Sequence, residues 1–81
     1  MSRHEKTLER LLSSEADANI DFDDLRRVLL RKGFIERVKG SHHIFTRSGV
    51  RQRITLQPDG RHAKPYQVRQ VREILTEYPQ R

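Results

Sequence analysis

Two short glycine-containing turns divide the middle of the chain into segments that suit β-strands. Gly40-Ser41 and Ser48-Gly49 each separate segments whose residue pattern is typical of strands. Because turns this short join antiparallel neighbours, we predict a three-stranded antiparallel sheet. Pro58-Asp59-Gly60 is a strong turn signal that we expect to end the sheet. The predicted strands are residues 34–39, 42–47 and 50–57.

Helix signals lie on both sides of these strands. Asp21 suits the N-cap of a helix whose first turn is acidic, and Gly33 suits the position just after its end. Pro65 suits the first turn of a later helix, which Pro79 stops. Leucines spaced three and four residues apart predict another helix near the N-terminus. The predicted helices are residues 3–13, 22–32 and 65–76, and residues 13–19 are predicted to be a linker.

The predicted order of elements is α-α-β-β-β-α, which defines an α+β fold. One face of the sheet needs a cover, and the second and last helices can supply it. Side chains alternate along a strand, so His43 shares a face with Phe45 while His42 shares the other with Ile44. The pattern alone does not decide which of these two faces points into the core.

Length and charge narrow the class of protein. The 81 residues predict one small domain with a modest core, and there is no cysteine to build a disulfide scaffold or a Cys-based zinc site. The formal net charge is +6. Residues 1–24 have three basic and seven acidic residues, a net −4, and residues 25–81 have fourteen basic and four acidic residues, a net +10. A basic body of this kind favours a polyanionic partner, most often nucleic acid, although a generally basic surface gives the same totals.

The run Gly40-Ser41-His42-His43-Ile44-Phe45 has the strongest chemical signal. A histidine titrates near neutral pH and can transfer protons under cellular conditions. The run lies among cationic side chains that could contact phosphates, namely Lys39, Arg47, Arg51 and Arg53. The backbone N–H groups at Gly40-Ser41 could also approach a phosphate. A histidine so placed could perform acid–base chemistry on a phosphate-bearing substrate.

The same residues carry a resemblance to a family. Gly33-Phe34, followed by the Gly-Ser-x-His element at Gly40–His43, a three-strand meander, a proline turn and a final helix, resembles the HicA toxins of bacterial toxin–antitoxin pairs. The resemblance covers about residues 20–77, and the Lys64-Pro65 helix start is a weaker supporting match. The resemblance implies that residues 1–19 form an N-terminal helical extension and linker. It implies that residues 20–81 form a HicA-like RNA-binding and nuclease domain.

The resemblance implies a fold like that of a double-stranded-RNA-binding domain, here with an extra N-terminal helix, and an mRNA-cutting activity. The histidine that is essential in the family corresponds to His43. The resemblance also implies a HicB-type antitoxin that covers the active site. We further expect a monomeric free toxin, a prokaryotic cytoplasmic location, and no cofactor, metal or membrane. The RNA-contacting residues that we predict are Lys39, Gly40, Ser41, His42, Arg47, Arg51, Arg53 and Lys64.

Other functions stay open at this stage. The main alternative is a non-catalytic RNA- or DNA-binding module on the same basic sheet, and another is a small interaction protein whose charge serves an acidic partner. RNA-binding domains of this fold recognise duplexes through lysine-rich helix starts, and here that position has only Lys64-Pro65. His42, His43 and His62 could in principle surround a metal, but the adjacent pair points to opposite faces of a strand.

Overall fold

The computed structural model describes residues 2–13 and 19–78, and all statements about the structure concern these residues. Most of the predicted linker, residues 14–18, and the predicted stop at Pro79 lie outside them. No helix in the described part of the chain is long and apolar enough to cross a membrane. The elements are α1 (Arg3–Leu12), α2 (Phe22–Arg31), β1 (Ile35–Lys39), β2 (His42–Thr46), β3 (Ile54–Leu56), β4 (Pro58–Asp59), β5 (His62–Ala63) and α3 (Pro65–Glu77).

The helix ends follow local signals in the sequence. The Asp21 carboxylate accepts hydrogen bonds from the backbone N–H groups of Asp23 and Asp24, at 2.9 and 3.2 Å, and so caps α2. After α2, Gly33 takes a φ of +91°, a conformation that glycine adopts without the cost that a side chain imposes. Pro65 occupies the first turn of α3. These predicted boundaries are confirmed.

The main sheet has the strand order β1-β2-β3 and is antiparallel throughout, as predicted. Gly40-Ser41 joins β1 to β2, and Gly40 has a φ of +61°. The two-residue turn sets the register, with Lys39 opposite His42 and Val38 opposite His43. The side chains of Glu36 and His43 therefore lie on the same face of neighbouring strands.

The end of the sheet differs from one prediction and agrees with another. The third strand covers only Ile54–Leu56, because the chain from Arg47 to Arg53 forms a longer connection in which Val50 packs against the core. Pro58-Asp59-Gly60 does end the three-stranded sheet, as predicted, and Pro58-Asp59 forms β4 of a separate two-stranded sheet, in which it pairs with β5 around a turn at Gly60. This second hairpin is held by Ile20, whose carbonyl accepts from the Ala63 N–H at 2.8 Å.

The core lies between one face of the sheet and the three helices. Phe45 is 0% exposed, so the face that it shares with His43 points inward, which the sequence left undecided. Leu11 of α1 is also fully buried, and its carbonyl accepts from the Arg72 Nε at 2.6 Å. The first helix therefore contributes to the same core as α2 and α3. The predicted domain boundary after residue 19 stays a prediction.

Candidate active site

His43 lies on the helix-covered face of β2, at the edge of the core. Its side chain is 19% exposed, and its ring makes an edge-on contact with the Phe22 ring, with 4.9 Å between the ring centroids. Phe22 is the first residue of α2, so the capped start of this helix packs against the imidazole. The ring is thus restricted by packing and still reaches the surface.

A carboxylate holds one nitrogen of the His43 ring. The Nδ1 atom lies 2.8 Å from Oε2 of Glu36, whose side chain is 11% exposed. Val38 of β1 pairs with His43, and Glu36 lies two residues before Val38 on the same strand. Glu36 and His43 are therefore on the same face of the sheet. The sequence contained a signal for this contact, because a two-residue turn at Gly40-Ser41 implies this register.

Arg26 of α2 donates two hydrogen bonds to the same carboxylate. Its Nε and Nη2 atoms lie 2.7 Å from Oε2 and Oε1 of Glu36, and its Nη1 lies 2.9 Å from Asp23 Oδ1. The hydrogen bonds from Arg26 lower the pKa of Glu36 to about 2, against the opposing effect of burial and with further help from His43. The pKa of Arg26 is raised, chiefly by its hydrogen bonds to Glu36. Glu36 is therefore ionised at neutral pH.

A surface pocket of about 420 Å³ opens beside the imidazole. It lies between the start of α2 and the β4–β5 hairpin, which are joined by a hydrogen bond from the Phe22 N–H to the Arg61 carbonyl at 2.9 Å. This volume falls in the range of small-ligand sites in proteins. The charged groups at its wall are two carboxylates and one guanidinium. The lining residues are Asp21, Phe22, Asp23, His43, Pro58, Gly60 and Arg61.

Three of the predicted RNA-contacting residues lie on the opposite face of the sheet from His43. Lys39 and His42 pair across β1 and β2 on the open face, and Arg53 lies beside the same surface. Lys39 and Arg53 border a second surface pocket of about 430 Å³. Its lining residues are Arg37, Val38, Lys39, Ile44, Thr46 and Arg53. The structure therefore does not bring these cations together with His43.

The turn between β1 and β2 lies at the border between the two faces. Gly40 and Ser41 are exposed, and the Ser41 hydroxyl accepts a hydrogen bond from Gln57 Nε2 at 3.3 Å. Gln57 precedes Pro58, which lines the pocket next to His43. A polymer crossing this turn could reach both surfaces.

The other predicted contacts are more distant from the imidazole or have structural roles. Arg47 follows β2, four residues and about 13 Å along the chain from His43. It is half-buried, with its guanidinium 6.0 Å from the centroid of the Phe34 ring. Arg51 is exposed in the β2–β3 connection, and Lys64 is the N-cap residue of α3.

Sequence reasoning missed the groups that lie closest to the imidazole. Glu36, Arg26 and Phe22 contact His43 directly or through one partner, and Arg61 lines its pocket. Arg26 could not have been found, because its contact depends on how α2 packs on the sheet. Within the described residues, no group of three or more His, Cys, Asp or Glu side chains is arranged to hold a metal ion.

Comparison with known proteins adds independent information about this region. The family model described as the HicA toxin of bacterial toxin–antitoxin systems matches residues 22–76, which include α2, every strand and most of α3. The curated proteins and the solved structures gave no match. The match covers more than half of the chain, and the three helices and antiparallel sheet agree with the α+β fold of that family. The chain therefore belongs to the HicA toxin family of toxin–antitoxin systems.

Proposed function

We propose that this protein is an endoribonuclease that cuts mRNA with His43 as its general acid or base. The observation that carries the proposal is the placement of the His43 ring at an open pocket of about 420 Å³, with one ring nitrogen held by Glu36. All the residues that line the pocket except Asp21 lie within the region that matches the HicA family. Histidine is the side chain that most often serves as a general acid or base in enzymes.

The reaction uses a nucleophile that RNA itself provides. The ribose 2′-OH loses its proton and attacks the adjacent phosphorus, and the 5′-oxygen leaves with a proton. One histidine can perform one of these transfers, which contributes roughly 10²–10⁴-fold to the rate. Arg61, the cationic residue at the pocket wall, is placed to offset charge that develops on the phosphate. Because acid–base catalysis and positive charge suffice for this chemistry, the proposed mechanism needs no divalent metal.

The substrate path that we propose passes over the turn between β1 and β2. Phosphates on one side of the cut would contact Lys39, His42 and Arg53 on the open face. The chain would then cross Gly40-Ser41, where exposed backbone permits close approach, and enter the pocket. Arg47, Arg51 and Lys64 would contact more distant parts of the RNA through charge alone.

The family also implies an antitoxin partner. We propose that this partner is a HicB-type protein that covers the His43 pocket and presents acidic groups to the surrounding cations, and that the free toxin is a monomer in a prokaryotic cytoplasm. Covering the pocket would exclude RNA from the imidazole. Because much of the attraction would come from exposed charges, association should be fast and sensitive to salt.

Two adjacent histidines allow a matched test. The purified wild-type, His43→Ala and His42→Ala proteins are compared on a fluorescent single-stranded RNA, with circular dichroism to verify folding. We expect His43→Ala to lose about 10²-fold or more in kcat. His42→Ala should keep kcat and raise KM, because His42 lies on the opposite face and is proposed only to bind RNA. Cleavage by His43→Ala at the wild-type rate would refute the catalytic assignment.

The same proteins, purified and also induced in cells, test the alternative of a non-catalytic binding module. If the wild-type protein binds RNA, leaves it intact and does not arrest growth on induction, the binding module is the correct function. If RNA is degraded and growth stops in the wild type but not in His43→Ala, the nuclease is supported.

A further inference from the structure

An unbroken series of hydrogen bonds joins α2, β1 and β2 at the candidate site. Arg26 donates twice to Glu36, at 2.7 Å each, and Glu36 Oε2 lies 2.8 Å from His43 Nδ1. We propose that Glu36, held by Arg26, is a positioning residue that fixes the His43 ring and its tautomer so that Nε2 is the atom that exchanges the proton with RNA. The inference rests on the proposed nuclease function for its kinetic consequence.

The tautomer follows from the chemistry of the two groups. The Glu36 pKa of about 2 keeps the carboxylate ionised at neutral pH, and an ionised carboxylate can only accept hydrogen bonds. His43 Nδ1 must then carry the hydrogen of the 2.8 Å contact. In a neutral imidazole the other nitrogen has a free lone pair, so Nε2 is the basic atom. In the imidazolium form, Nε2 can donate its proton as an acid.

Packing restricts rotation of the His43 ring away from the Glu36 carboxylate. The Phe22 ring meets the imidazole at an interplanar angle of 72°, and the start of α2 is fixed by the Asp21 cap. The Glu36 side chain is in turn held by both Arg26 contacts, so it has little freedom to rotate. A general base held at one orientation avoids a search for the reactive geometry in each turnover.

Arg26 also changes the charge that Glu36 brings to an RNA site. An isolated carboxylate beside the imidazole would repel the phosphate of the substrate, whereas the bidentate pair has no net charge. The other charged groups at the pocket are Asp21 and Asp23 on α2 and Arg61 on the β4–β5 hairpin. Asp23 shares Arg26 with Glu36, through a contact of 2.9 Å. The Arg26–Glu36 pair therefore provides a hydrogen-bond acceptor for Nδ1 without adding net charge, and the remaining charges at the pocket, two carboxylates and one guanidinium, sum to −1.

A purely structural ion pair would stabilise the fold without affecting the histidine. The structural role and the positioning role predict different protonation of the two nitrogens of the His43 ring. Long-range ¹⁵N–¹H NMR reports this protonation, and the measurement does not require the protein to be active. At a pH where His43 is neutral, we expect the wild-type protein to have Nδ1 protonated and Nε2 bare. A free histidine side chain favours the opposite tautomer, so Glu36→Ala should shift the signals toward protonated Nε2.

Glu73→Ala is the matched control, because Glu73 is exposed on α3 and is not one of the residues that line the pocket. It should leave the His43 signals and the kinetics unchanged. Glu36→Ala should lower kcat by about 10- to 10³-fold, part of the acid–base contribution, while KM changes less than about twofold. Glu36→Gln keeps the shape of the side chain and serves as the second variant if the alanine variant does not fold. An amide cannot accept from both Arg26 donors and from His43 as the carboxylate does.

The outcomes separate this inference from the proposed function. Protonated Nε2 in the wild-type protein, or an unchanged tautomer and kcat in the folded Glu36 variants, would overturn the positioning role. A wild-type protein with protonated Nδ1 that does not cleave RNA would refute the nuclease while leaving the tautomer assignment intact.

Discussion

Acidification should remove a defined part of the stability of this protein through Glu36. Its pKa is about 2 in the folded state, against an ordinary value of 4.5. Between these values the unfolded state binds more protons than the folded state, so stability decreases as pH falls. The contribution is complete above about pH 4.5 and is lost as pH approaches 2.

The structure sets an upper limit on the size of this effect. The difference in pKa multiplied by 1.36 kcal/mol per unit gives about 3 kcal/mol. Glu36 and Arg26 retain some contact with water, with side chains 11% and 27% exposed, and partly hydrated ion pairs contribute less than this limit. We expect about 1–3 kcal/mol, which is a large share of the stability of a domain this small.

Urea unfolding followed by circular dichroism can measure this contribution in the wild type, Glu36→Gln and Glu73→Gln between pH 7 and pH 2. The free energy of unfolding of Glu36→Gln should be about 1–3 kcal/mol below that of the wild type at pH 7. The difference should vanish near pH 2, where a protonated glutamate resembles a glutamine. Glu73→Gln should follow the wild-type curve. A Glu36→Gln difference that stays constant from pH 7 to pH 2 would refute the reasoning.

Three further changes test other parts of the molecule. Leu11→Ala should destabilise the fold by about 2–5 kcal/mol in urea unfolding, because Leu11 is fully buried; a loss below about 1 kcal/mol would mean that α1 is not part of the core. RNA cleavage should continue in EDTA and give 2′,3′-cyclic phosphate or 3′-phosphate ends with a free 5′-OH, whereas loss of activity that magnesium restores would indicate another mechanism. The double variant Arg51→Glu, Arg53→Glu should weaken both RNA binding and antitoxin capture. The loss should be larger at 0.1 M salt than at 1 M salt, because the Debye length is ~10 Å at 0.1 M and ~3 Å at 1 M. Unchanged antitoxin affinity would mean that the antitoxin binds elsewhere on the protein.

Features encoded by neighbouring residues could be predicted from the sequence. The cap at Asp21, the helix end at Gly33 and the start at Pro65 each depend on a few adjacent residues, and all three are as expected. The β3 boundary was wrong because residues 50–53 do not pair with β2, and Val50 instead packs against the core, a contact that the local pattern does not specify. The pairing of Pro58-Asp59 with β5 likewise depends on contacts of the hairpin with the start of α2.

The candidate site shows the same division between local and long-range information. The choice of His43 came from a short motif and the family resemblance, and the register that places Glu36 beside it is implied by a two-residue turn. The Arg26 contact spans ten residues and requires the packing angle of a helix on a sheet, which no sequence pattern specifies. Net charge likewise suggested a nucleic-acid partner but gave no information about which face of the sheet each cation occupies.

The two faces of the sheet differ in how their charges are arranged, and this difference bears on the proposed function. Around His43 the charges are organised by hydrogen bonds: Arg26 is shared by Glu36 and Asp23, and Glu36 also contacts the imidazole. This network gives the ring a fixed orientation, and its two carboxylates and one guanidinium leave a net charge of −1 that does not attract a phosphate. On the open face, Lys39 and Arg53 border the second pocket, and the described residues that line it include no acidic side chain. Long-range attraction for RNA or for an acidic antitoxin would therefore come mainly from the open face, and proton transfer from the covered one. Substitutions on the open face should then change association rates and salt dependence, whereas substitutions in the Arg26–Glu36–His43 network should change turnover.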